Sequence, residues 1–84
     1  MQVRWTTHVL RDKLPALEDD YRLVLTREEV DDLIHNPEWL EKRGTPLANR
    51  AEKRVRGLPI PVVWRDTQEY HLIITVFVPR EPFI

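Results

Sequence analysis

The side chains able to do acid–base or electrostatic chemistry fall into two groups. One is three histidines, His8, His35 and His71; the other is a cationic stretch, Arg50, Lys53, Arg54 and Arg56. The chain contains neither cysteine nor serine, which removes the thiol and hydroxymethyl nucleophiles and any thiolate zinc site. Gly44 and Gly57 are its only glycines, so no glycine-rich phosphate loop can form. A metal site needs two or more His or carboxylate ligands at helix or hairpin spacing, and each histidine stands alone in its segment. No metal and no cofactor is therefore expected. What remains is acid–base chemistry without a covalent intermediate, or no chemistry at all.

Every candidate also has a plainer reading. His35, in a last helical turn before Asn36-Pro37, suits the negative end of a helix dipole. His71 fits a half-buried strand face opposite Trp64. His8 opens a helix directly after a strand, a position from which side chains often reach a cleft. The runs Glu18-Asp19-Asp20, Glu28-Glu29 and Asp31-Asp32 read as first-turn acids and solvated helix faces. Guanidinium groups two residues apart on a strand stand on one face and can hold successive phosphates. The same pattern also protects a solvent-facing strand from edge pairing. Trp64, Tyr70 and Phe77, in the hairpin that follows, would add base stacking to a phosphate grip.

The elements that must position these groups follow from local pattern. Gln2 to Trp5 alternates as a short edge strand. Thr6 and Thr7 offer caps for a helix from His8, with Leu10, Leu14, Leu17 and Tyr21 on its stripe and a kink or junction at Pro15. Thr26-Arg27-Glu28-Glu29 is a capping box with Leu25 and Val30 as its staple, opening a helix whose inner face is Val30, Leu33 and Ile34. Asn36-Pro37 predicts a second short helix that ends at Gly44 and sets Trp39 and Leu40 against the core. Residues 45–49 read as a linker. Ala51 to Arg56 alternates, with Ala51, Lys53 and Val55 on one side and Glu52, Arg54 and Arg56 on the other. A wide loop through Pro59 and Pro61 is expected next, in preference to a two-residue turn at Gly57-Leu58.

Residues 60–65 and Tyr70 to Val78 form the final hairpin. With Arg65 facing Tyr70, one face carries Val62, Trp64, His71, Ile73, Thr75 and Phe77. The other carries Val63, Arg65, Tyr70, Leu72, Ile74, Val76 and Val78. Helices are expected over the second, which would leave Trp64, Ile73 and Phe77 open to a partner or a second copy. The predicted class is α+β, two or three helices packed on one face of a three- or four-stranded antiparallel sheet.

Eighty-four residues make a single domain, residues 1–84, with one thin core. The absence of cysteine fits a reducing cytoplasm. No apolar run is long enough to span a bilayer, and the amino terminus lacks the order of a signal peptide. A soluble cytoplasmic protein without membrane contact is expected. The net charge is −1, but it is unevenly spread: residues 1–42 sum to −4 and residues 43–84 to +3. Any surface that meets phosphate should lie in the second half.

Thr7-His8 opening one helix, Leu25-Thr26-Arg27-Glu28-Glu29-Val30 opening the next, and a meander ending in Leu72-Ile73-Ile74-Thr75-Val76-Phe77 together resemble the small BrnT-like toxins and their relatives in the RelE-type ribonuclease superfamily. The resemblance spans about residues 5–78. It implies metal-independent RNA cleavage within a toxin–antitoxin type system, the ribose 2′-hydroxyl attacking the adjacent phosphate, with an antitoxin-like partner covering the site. It further implies that Arg54 and Arg56 neutralise phosphate, that Lys53 assists, and that His8 or His71 moves protons. Arg50 and Trp64 would complete the RNA-binding surface. The slightly negative net charge departs from the basic character of such toxins. The alternatives are a non-catalytic protein-interaction module, or homodimer, using the apolar sheet face, and a nucleic-acid binder without catalysis.

Overall fold

The computed structural model describes residues 2–43 and 47–77. The alternating amino-terminal segment forms strand β1, Gln2–Trp5, with Val3 buried. The Thr6 hydroxyl accepts a hydrogen bond from the Val9 N–H at 3.4 Å, capping the helical segment that follows. That segment begins with a π-helical turn, Val9–Lys13, and continues as α1, Leu14–Tyr21. The wider turn inserts a residue and shifts the helical phase. Val9 is consequently fully buried, while Leu10, expected on the inner stripe, is 52% exposed. Pro15 lies in the first turn of α1, where its missing N–H breaks no α-helical bond. Arg22 ends α1 in the left-handed region, φ 54°, with its N–H on the Glu18 carbonyl.

Helix α2, Arg27–His35, starts at the predicted capping box. The Glu29 N–H donates to Thr26 Oγ1 at 3.1 Å, and the Thr26 N–H donates to Glu29 Oε1 at 3.0 Å. Leu25 and Val30 are both buried, as a staple requires, and Leu33 and Ile34 complete the inner face. The short helix expected after Asn36 is absent. The Asn36 amide reaches back to Asp32 Oδ1 at 3.0 Å and is therefore spent on the preceding helix instead of capping a new one. The chain extends through Pro37 into strand β2, Trp39–Glu41, whose Trp39 and Leu40 are exposed and not packed in the core. Gly44, the expected helix end, lies outside the described residues.

Strands β3, Asn49–Val55, β4, Leu58–Asp66, and β5, Tyr70–Val76, complete a five-stranded sheet of order β1-β5-β4-β3-β2. The β2–β5 meander is antiparallel, but β1 pairs parallel with β5, so the sheet is mixed where an antiparallel one of three or four strands was expected. The β3–β4 connection is tight, not wide. Arg56 and Gly57 make a two-residue turn with φ of 49° and 86°, the left-handed pair that suits the sheet twist. Val55 then faces Leu58, Arg54 faces Pro59 and Glu52 faces Pro61. Both prolines thereby fall at positions that exchange no hydrogen bond with β3, and the Arg54 N–H points away to Glu38 Oε2 at 3.1 Å.

The turn of the final hairpin lies one residue later than expected, with Asp66 facing His71. Thr67 Oγ1 accepts from the Glu69 and Tyr70 N–H groups and holds the loop, so Arg65 faces Leu72 and Trp64 faces Ile73. A two-residue slip preserves the faces, and Val62, Trp64, His71 and Ile73 do share one. An extra residue in β5 then moves the register, pairing Val63 with Thr75 and Val62 with Val76. The helices cover this Trp64 face and not the Leu72 face that was expected. Trp64, Ile60, Val62, Ile73 and Val76 are buried with Leu17, Val30 and Leu33 from the helices. The reason is charge, because the opposite face carries arginines from three strands that cannot be desolvated without partners. Val78, assigned to that face, lies outside the described residues. No helix among the described residues is long and apolar enough to cross a membrane.

Candidate functional site

The uncovered sheet face gathers Arg4 of β1, Arg50 and Arg54 of β3 and Arg65 of β4, all exposed. Register places them: Arg4 and Arg65 both stand opposite Leu72, Arg50 opposite Val63, and Arg54 opposite Pro59. Aromatic rings lie between them. The Arg50 guanidinium is 5.2 Å from the Phe77 ring centroid and 5.7 Å from that of Trp39, and the Arg4 guanidinium is 4.6 Å from Tyr70. Each cation–π contact at an exposed site contributes about 0.5–1 kcal/mol. It also holds a long side chain flat on the sheet with outward N–H groups free to meet an anion. Glu41 and Glu52 share the face, leaving arginine in excess. Phe77 and Trp39 are 42% and 47% exposed, enough to offer ring surface to a base.

The expected phosphate ribbon is divided between two faces. Arg50 and Arg54 remain on the open side. Lys53 points the other way, its Nζ 2.7 Å from Asp32 Oδ2 on α2, and the Lys53 ammonium, followed by the Asn36 amide, holds Asp32 below the usual carboxylate range. Arg56 sits in the turn and donates to Glu29 and to the Val24 carbonyl, pinning the β3–β4 hairpin to α2. Trp64, assigned to base stacking, is 1% exposed, with its indole N–H on Asp66 Oδ1 at 3.0 Å. A ring enclosed in the core has no face left for a base.

The two histidines expected to move protons are not brought together with Arg54. His8 is exposed at the start of the helical segment, 3.2 Å from Asp12 and 3.4 Å from Thr75 Oγ1. His71 is buried beneath the helices, four residues along β5 from Thr75, or about 13 Å at the strand rise. Arg54 stands on the outer face, two strands away. Instead, His71 meets α2: its ring lies edge-on to His35, centroids 5.5 Å apart, and both adjoin Asp31.

Arg4, Arg65 and Trp39 belong to the open face but were not singled out in the sequence. Arg4 alternates with Val3 and Trp5, so its outward direction is legible, but its meeting with Tyr70 depends on a strand partner 66 residues away. Trp39 was assigned to a helix that does not form. Asp31 and His35 carry a visible signal, since residues four apart share a helix face. No protein-family model, curated protein or solved structure matches the chain.

Proposed function

We propose that this domain binds single-stranded RNA on its open sheet face and does so without catalysis. The observation that carries the reading is the Arg50 guanidinium set between Trp39 and Phe77, on a face with three further exposed arginines. Guanidinium groups neutralise phosphates while neighbouring rings stack on unpaired bases, a combination that suits single strands better than a duplex, whose bases are already stacked. The reading stops at binding because, among the described residues, the two histidines expected to move protons, His8 and His71, are not brought together with the arginines of this face. An antitoxin-like protein or second copy that covers this face would compete with RNA for it.

The test is fluorescence anisotropy of a labelled oligoribonucleotide, with a duplex of equal length as comparison. Binding to the single strand should weaken with added salt and should fall in Arg50→Ala. Salt-insensitive binding, or equal affinity for the duplex, overturns the proposal. Turnover of the oligonucleotide by the wild-type chain would restore the ribonuclease reading.

A further inference from the structure

Behind the sheet, on the helix side, one donor atom each from Asp31, His35 and His71 lies within 4.8 Å of the other two. Asp31 and His35 are one turn apart on α2, and His71 comes from β5. We propose that these three side chains form a binding site for a divalent transition-metal ion of the imidazole-preferring class, with zinc as the reference ion.

Two buried polar atoms in the cluster have no hydrogen-bond partner: His71 Nε2 and Asp31 Oδ1. His71 is only 7% exposed, and an unsatisfied acceptor in such a place is costly unless a ligand completes it. Tautomers follow from the partners. His71 Nδ1 is 2.5 Å from Asp66 Oδ1, which also accepts from the Trp64 indole, so Asp66 is an acceptor there and the imidazole proton sits on Nδ1. The Nε2 lone pair is thus left for a metal, with the carboxylate behind the ring orienting it. His35 Nδ1 lies 2.8 Å from the Asp31 carbonyl, which can only accept, and 3.4 Å from Asp31 Oδ1, so this ring also holds its proton on Nδ1 and leaves its lone pair on Nε2.

Two imidazoles and a carboxylate are the donor set of sites that bind zinc and its neighbours and keep a coordination position open. Metal–ligand bonds of about 2.0–2.1 Å set donors roughly 3.4 Å apart in a tetrahedral site, so loading would draw donors that now lie within 4.8 Å of one another inward by at most about 1.4 Å. His35 and Asp31, with side chains 52% and 42% exposed, have room to make that adjustment. The open position would face a cleft of about 280 Å³ that is bordered by Leu40 and Lys42 as well as by the histidines.

The experiment is calorimetric titration of the full chain with Zn²⁺ alone, followed by Co²⁺ absorption to read coordination. One ion per chain is expected. His35→Ala and Asp31→Asn, both at partly exposed positions that the fold tolerates, should each weaken binding at least tenfold. His8→Ala removes a second helical His–Asp pair, 3.2 Å apart but with no third donor among the described residues, and should leave affinity unchanged. Absence of saturable binding overturns the proposal, as does unchanged affinity in either His35→Ala or Asp31→Asn, or a comparable loss in His8→Ala.

Discussion

Lys53 and Arg54 are neighbours in sequence that the sheet sends to opposite faces, so their alanine variants should part company in RNA binding. The exposed arginines at positions 4, 50, 54 and 65 can each neutralise one phosphate. At about 0.7 per contact on a single strand, the logarithm of affinity should then fall against the logarithm of salt with a slope near −2.8. Arg54→Ala removes one contact, which reduces the slope to about −2.1 and weakens binding about fivefold at 0.1 M salt relative to the 1 M reference. Lys53→Ala should leave the slope alone, because its Nζ is held 2.7 Å from Asp32 on the helix side. Anisotropy measured across a salt series reads both quantities directly. An equal change of slope in the two variants, or a larger one in Lys53→Ala, would refute the division of the cationic stretch between two faces.

Three further outcomes concern the scaffold. Trp64→Ala empties the largest fully buried side chain and should cost about 3–5 kcal/mol in urea unfolding, a large share of what a domain this size has. Thr26→Ala should destabilise by about 1 kcal/mol through loss of the capping box, whereas Thr26→Ser should be nearly neutral. Arg22→Gly should stabilise by about 1 kcal/mol, since Arg22 holds a left-handed φ of 54° that glycine adopts without strain. A denaturation midpoint that does not rise in Arg22→Gly would contradict that backbone assignment.

The parts of this fold legible in the sequence are those fixed by contacts a few residues apart. Thr26, Glu29, Leu25 and Val30 specify the start of α2 among themselves. Period-two alternation grouped Ala51, Lys53 and Val55, and separately Trp64, His71 and Ile73, and the sheet register sets both groups on the helix-covered face. What alternation could not decide was which side is buried, since both faces of the last hairpin are apolar. That choice depends on Arg4, Arg50 and Arg65 meeting on one surface, which follows only once β1 and β3 have joined the sheet. The loss of the helix after Asn36 has the same origin: a valid local start signal yielded to pairing with β3, where the Glu38 N–H reaches the Glu52 carbonyl at 3.0 Å.

The candidate sites divide along the same line. Arg50 and Arg54 were readable as phosphate ligands, but the neutralisation of Lys53 and Arg56 was not, because Asp32 and Glu29 had been read as a solvated helix face. Those two acids explain how a chain of net charge −1 can present a cationic surface. Half of the basic stretch is cancelled internally by α2, and the open face is then replenished by Arg4 and Arg65 from β1 and β4. The acidic first half of the chain therefore stabilises the fold mainly on the helix side of the sheet, while Glu41 stands on the open face opposite Arg50. Local excess charge with little net charge has a kinetic consequence: long-range steering should be weak, so affinity for RNA should reside in slow dissociation more than in fast association.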